Sequence, residues 1–283
     1  MSDDADWTVT GLLLHPGGQI LVNLTATDGE DFYTMLSEIP DIARPAEGGP
    51  AEAAYEGQFW ITALAQGPDG AVYACDADGH VHDNASGTWR VTPVAPDGLR
   101  AIACLPDGTV ITGGTGGRVY RLDARGWRAM APDLGIWINA LAGQGAQDFA
   151  AAGDEGALWL WRGEGPGRRV DLPTDATFQD LLRDGAGYLV CGDNGALFRG
   201  AGEDWADLTA TAHDLYEMAR YGDEVWLACG EAGVGRLTDN GIEIVRDTFI
   251  AHGIRTAGRY AAFAGGPSVI RHDGEIWLRY SYG

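Results

Sequence analysis

His80 and His82 stand one residue apart, a spacing that on a β-strand turns both imidazoles to the same side and supplies half of a metal site. The plainer reading of the pair is a solvated strand face. Just ahead of them, Asp76-Ala77-Asp78-Gly79 offers two carboxylates, but the chain has no compact Asp-x-Asp-x-Asp loop that would gather several oxygens around a hard cation. The other histidines, His15, His213, His252 and His272, are scattered. The cysteines, Cys75, Cys104, Cys191 and Cys229, include no pair at the spacing used for metal binding or thiol exchange. No Gly-x-Ser-x-Gly elbow, phosphate-cradling loop or His-Glu-x-x-His helix occurs. All nineteen cationic residues are arginine, and a chain without lysine has no Schiff-base or P-loop chemistry. No cofactor and no resident metal are therefore expected.

What positions these residues is a repeat. Cys75-Asp76-Ala77-Asp78-Gly79, Gly113-Gly114-Thr115-Gly116-Gly117, Ala152-Gly153-Asp154-Glu155-Gly156, Cys191-Gly192-Asp193-Asn194-Gly195 and Cys229-Gly230-Glu231-Ala232-Gly233 are copies of one turn. Ala264-Gly265-Gly266-Pro267-Ser268 is a weaker copy, and Ala26-Thr27-Asp28-Gly29 a faint first one. The second residues of the five clear copies and the weaker one, at 76, 114, 153, 192, 230 and 265, are separated by 38, 39, 39, 38 and 35 residues. Each turn has an apolar run before it and a short alternating run after it, which makes a hairpin. A further apolar strand lies upstream, joined through turns such as Pro68-Asp69-Gly70, and a fourth follows, often opened by tryptophan as at Trp89 and Trp127.

Four strands in about 38 residues cannot hide both faces of so small a sheet, and stacking such sheets around an axis does. The chain therefore reads as all-β, a single seven-bladed β-propeller over residues 1–283, with units at 1–59, 60–98, 99–136, 137–174, 175–213, 214–251 and 252–283. Six blades plus an N-terminal hairpin is the other count. The Pro- and Gly-rich stretch 37–58 reads as a surface insertion in the first blade, with one helical turn over 51–54. The last unit carries its own fourth strand, 275–280, so the ring closes either by blade packing or by Trp7-Thr8-Val9-Thr10 adding to the final sheet. Three cysteines share one repeat position with Gly113, Ala152 and Ala264, which marks a small buried slot.

The pattern resembles bacterial tandem-repeat propellers of the BNR and photosystem-assembly-factor kind. The matching stretches are Gly192-Asp193-Asn194-Gly195-Ala196-Leu197-Phe198, Leu122-Asp123-Ala124-Arg125-Gly126-Trp127 and His272-Asp273-Gly274-Glu275-Ile276-Trp277. The resemblance implies a fold, and it implies that the turn between second and third strands and the connection into the next blade emerge on one rim.

On that rim the first loop set carries Asp76, Asp78, Asp154, Glu155, Asp193 and Glu231, and the second carries Asp97, Asp133, Asp175 and Asp214. Trp60, Trp137, Phe178 and Tyr216 open successive inner strands near the same place. Acidic side chains around aromatic anchors suit a basic protein or peptide. The bland alternative is that Asp is an ordinary turn residue and that an aromatic at a strand start covers the core.

A formal charge of −22 repels nucleic-acid phosphates and anionic membranes, so neither is an expected partner. The acidic N-terminal stretch leads into no apolar run, and the expected location is the cytoplasm. The reading that results is a non-enzymatic, protein-binding propeller, monomeric when free, for example an immunity protein that occludes a cationic toxin. An enzyme, a lyase or hydrolase using Asp, Glu, His213 and Arg255 at the channel mouth, would instead need a narrow pocket holding an acid and a base with displaced pKa values. A structural subunit of a phage-like or secretion assembly would spread its charge evenly.

Overall fold

The computed structural model describes residues 6–39, 41–43, 53–130 and 132–282. These form seven antiparallel sheets of four strands, each built from consecutive strands of the chain, and the protein is a seven-bladed β-propeller. The blades cover residues 8–57, 61–93, 99–129, 138–171, 178–207, 217–246 and 253–281, and are numbered 1 to 7 in that order. Residues 8–57 make a complete four-stranded sheet, so the count of six plus a hairpin does not hold. The chain divides into two compact units, one of Thr62–Leu215 and the other of Met1–Ile61 with Tyr216–Gly283.

In the unit of Thr62–Leu215 the core lies between successive blades. Tyr73, Cys75 and Val81 of blade 2 pack with Leu99, Ile102 and Val110 of blade 3, and Ile111 and Val119 of blade 3 with Phe149 and Trp161 of blade 4. Leu158 and Leu160 of blade 4 meet Phe178, Tyr188 and Phe198 of blade 5. Alternation along each strand is what feeds both faces of every sheet into such layers. Polar side chains tie neighbouring first strands together: Thr62 Oγ1 donates to the Leu99 carbonyl at 2.9 Å, and Asn139 Nδ2 to the Phe178 carbonyl at 3.1 Å.

The repeated turn is a joint between blades. Within each blade the Thr115, Asp154 and Asp193 amides donate to the carbonyls of Gly98, Trp137 and Thr177, just ahead of that blade's own first strand. The bonds from the Leu134 amide to the Gly117 carbonyl at 2.7 Å and from the Gly156 amide to the Ala176 carbonyl at 2.9 Å tie the turn to the connection into the next blade. The last glycine of the turn is held there by two constraints. Gly156 and Gly195 have φ of +63° and +72°, and a Cβ on either would overlap the carbonyl oxygen of Thr174 or Thr211 in the connection to the next blade. The cysteine slot lies directly before this turn: Cys75 and Cys191 are fully buried, and burial pushes the Cys75 thiol up to about 12.

In the other unit, Leu12, Val22, Leu24 and Met35 of blade 1 pack with Ala262, Ala264 and Val269 of blade 7, and Trp226 and Val234 of blade 6 with Ile254 and Phe263 of blade 7. The first strand of blade 1, Thr8–Leu14, pairs with Ile20–Thr27 of its own sheet, and blade 7 ends in its own fourth strand, Trp277–Ser281. Trp7–Thr10 therefore adds no strand to the last sheet, and the Val9 amide makes a single backbone bond to the Gly266 carbonyl at 2.8 Å. The stretch 37–58 is less of an insertion than its composition suggests. Its ends belong to the strands Phe32–Ile39 and Ala53–Gly57, so Ala53 and Ala54 are extended rather than helical, because pairing of Ala53 with Ser37 and of Tyr55 with Leu36, with Ala54 in the bulge between them, overrides local helix preference. Residues 40 and 44–52 lie outside the described residues.

Candidate functional site

Within Thr62–Leu215 the rim expected from the repeat is assembled around Trp137. This residue precedes the first strand of blade 4 and is 49% exposed. Its carbonyl accepts the Asp154 amide at 3.2 Å, which brings the neighbouring Glu155 alongside, and the Gly156 amide bonds to the Ala176 carbonyl at 2.9 Å, which adds Asp175. Glu155 and Asp175 are exposed, and neither makes a hydrogen bond or ion pair among the described residues. Asp78, Asp97, Asp133 and Asp214 are exposed as well. Asp133 binds Arg118 Nε at 2.9 Å and accepts the Gly135 amide at 3.1 Å, and the arginine, followed by that amide, holds its carboxyl below the ordinary range. Asp214 Oδ1 accepts the Asn194 amide at 2.8 Å.

Two acidic residues of the rim are partly spent on its own order. Asp154 accepts Asn139 Nδ2 at 3.0 Å and Asp193 accepts Gln179 Nε2 at 2.8 Å, both half-buried. Asn139 also accepts Arg100 Nε at 2.8 Å, and the Arg100 guanidinium lies 5.4 Å from the Trp137 ring centroid. Glu155 has φ of +58°, where a side chain other than glycine or asparagine is disfavoured, and its counterpart in blade 5 is Asn194 at +55°. A glutamate retained in that conformation on an exposed face is an outlier that draws attention to its carboxylate.

Two expected contact residues are removed by the structure. Asp76 is 1% exposed. Its Oδ1 accepts the amides of Asp78 and His80 at 3.0 and 2.8 Å, and its Oδ2 accepts His80 Nδ1 at 3.0 Å and His82 Nε2 at 2.9 Å. Burial works to raise this carboxyl, but the bonds from His82, the His80 amide and the His80 ring prevail and it lies below its ordinary value of 3.8. The two imidazoles do share a side, but both turn onto Asp76 there, and His82 is buried while His80 stays partly exposed, so the pair is not a solvated face. Among the described residues no group of three or more His, Cys, Asp or Glu side chains is placed to hold a metal ion.

Phe178 is the other correction, at 0% exposure in the layer between blades 4 and 5. The residue that stands where Trp137 stands is Thr177, since both give a carbonyl to the turn amide; Phe178 matches Ile138, which is equally buried. A slip of one residue along a strand moves a side chain to the opposite face.

In the other unit, Trp60 is 38% exposed and stacks on Phe32, Tyr216 is half-buried with its ring edge-on to His252 at 4.6 Å, and Glu231 is exposed. Phe32 and the acidic residues before it are not marked by the repeat because the first copy of the turn is so faint; the alternation after Asp28-Gly29 is the usable signal. Arg100 is not marked either, because its partner ring lies in the next blade. Of the groups an enzyme would use, Arg255 gives its guanidinium to Glu217 Oε2 at 2.5 Å and to the Ile254 carbonyl, and His213 is an exposed residue of the blade 5 to blade 6 connection. Among the described residues every carboxyl with a resolved shift, Asp28, Asp76, Asp107, Asp133 and Asp273, lies below its ordinary value, so none of these five is poised as a general acid near neutral pH. An open cleft lined by His15, Pro16, Gly17, Gln19, Ile20 and Glu38 sits at the first turn of blade 1, the opposite end of that sheet from the rim.

No family model matches the chain. It is 27% identical over 183 residues to the immune protein Tsi7 of Pseudomonas aeruginosa, a match covering 60% of this chain and 58% of that protein. Among solved structures it is similar to YCF48 bound to a D1 peptide, with TM-score 0.65 and 13% identity, covering all of this chain and 94% of that one. It is also similar to YCF48 from Cyanidioschyzon merolae, with TM-score 0.66 and 12% identity over 99% of this chain and 97% of that one. The resemblance to assembly-factor propellers thus holds at the level of fold.

Proposed function

We propose that this protein is a non-enzymatic propeller that captures a basic protein on the face around Trp137. The observation that carries the reading is the half-exposed Trp137 flanked by the exposed carboxylates of Glu155 and Asp175, which have no partner among the described residues, with Asp97, Asp133 and Asp214 on the same rim of Thr62–Leu215. A large, rigid aromatic gives a contact its energy at low entropic cost, and surrounding charge of one sign selects and steers a partner of the other. The net charge of −22 extends the same preference over longer range. In its most concrete form the partner is a cationic toxin and the protein an immunity protein, acting in the cytoplasm and monomeric when free. The sequence match to a protein named an immune protein supports that form, and the fold shared with a structure that holds a peptide supports a protein or peptide partner.

The test compares immobilised wild type with the variant Glu155→Arg/Asp175→Arg as baits in a lysate of the source organism, eluted by a salt gradient. A basic protein that leaves the wild type as salt rises and is missing from the variant supports the reading. Equal capture by both, or capture by neither, overturns it.

A further inference from the structure

We infer that the exposed stack of Phe32, in blade 1, on Trp60, in the connection that follows it, is a receptor for an arginine side chain of a basic peptide segment. It rests on the reading of a basic partner but on other residues, all within the unit containing blade 1. Phe32 and Trp60 are 37% and 38% exposed, and their rings stack with centroids 4.4 Å apart and planes 13° from parallel. The buried hydroxyl of Thr34 fixes Trp60 from both sides, donating to the Phe59 carbonyl at 2.7 Å and accepting the Ile61 amide at 3.2 Å. An aromatic surface held in place this way loses little entropy on binding.

Charge complementarity names the occupant. Phe32 directly follows Asp28-Gly29-Glu30-Asp31. Asp28 Oδ1 accepts the amides of Glu30 and Asp31 at 3.0 and 2.9 Å, and Thr27 Oγ1 accepts the Gly29 amide and donates to the Asp31 carbonyl, so the loop is ordered while the Glu30 and Asp31 carboxylates stay exposed. The chain itself shows the matching chemistry at the equivalent place in blade 4. Trp60 and Trp137 each precede a fully buried isoleucine that opens a first strand, and Arg100 covers the face of Trp137. Among the described residues no guanidinium lies over Trp60. Arginine fits better than lysine because its planar group stacks on an indole and bonds a carboxylate through two parallel N–H groups at once.

The experiment is fluorine NMR on the full chain carrying 5-fluorotryptophan, with the Trp60 resonance assigned by its loss in Trp60→Phe. Capped Gly-Arg-Arg-Gly is titrated against capped Gly-Lys-Lys-Gly. The Trp60 resonance is expected to shift saturably with the arginine peptide, with the lysine peptide about threefold weaker and Glu30→Gln/Asp31→Asn weakening the arginine peptide by about fivefold. In Glu155→Arg/Asp175→Arg the Trp60 titration is expected to be unchanged, so the Trp137 face can fail without this site failing. A Trp60 resonance that does not move, or that moves equally with both peptides, overturns the inference.

Discussion

The repeated turn of blade 2 and that of blade 4 begin from similar residues and end in opposite uses. In blade 2, Asp76 turns inward and is enclosed by His80, His82 and two amides, so its charge serves the fold. In blade 4, Asp154 shares one bond with Asn139 and the next residue, Glu155, is left exposed in a strained backbone conformation. The same contrast separates Phe178, enclosed between blades, from Trp137, half exposed one repeat position away. A repeat supplies a scaffold, and what its carboxylates and rings do depends on which groups the adjoining strand places opposite them.

The sharpest way to break this contrast is to truncate the two aromatics. Phe178→Ala should cost about 3–5 kcal/mol by emptying a packed site, whereas Trp137→Ala should change stability by less than about 1 kcal/mol and cut partner binding instead. Urea unfolding of both variants reads the difference, and similar losses would erase it.

Next in size is the buried carboxylate. Asp76→Asn should lose about 1–3 kcal/mol at neutral pH, because two imidazoles and two amides lose a charged acceptor. The folded pKa of Asp76 is depressed, so its contribution is full above the unfolded value and disappears as pH falls through the lower folded one. The stability gap between wild type and variant should therefore shrink as pH drops below the ordinary 3.8, and chemical denaturation across that range checks it. A gap independent of pH would mean that the ionised form is not what the histidines stabilise.

The smallest effect runs the other way. Glu155→Asn relieves a positive-φ glutamate and should stabilise the protein by about 0.5–1 kcal/mol while weakening the captured partner. A thermal melt beside a binding assay shows whether the two changes oppose each other; a gain in stability with unchanged binding would take Glu155 out of the contact face.

The blades were legible in the chain because each is made of consecutive strands and its turns are local: glycine at positive φ and Asp-bonded amides repeat at a nearly constant interval. The rim was legible in outline for the same reason, and Trp137, Glu155 and Asp175 are where the repeat put them. Phe178 was misplaced because a strand start is uncertain by one residue, and one residue exchanges solvent for core. The fate of Asp76, the Arg100–Trp137 contact and the Phe32–Trp60 stack had no local signal to the same degree, since each depends on how separate strands or turns approach. The chain by itself determined the period, the four-stranded sheets and the surplus of negative charge, which follow from local turn chemistry, alternation and composition, while the complete first sheet that makes the count seven rather than six came from the structure. Only the tertiary structure decided which carboxylates are enclosed and which face water, because burial and hydrogen bonding are properties of the neighbours a residue meets.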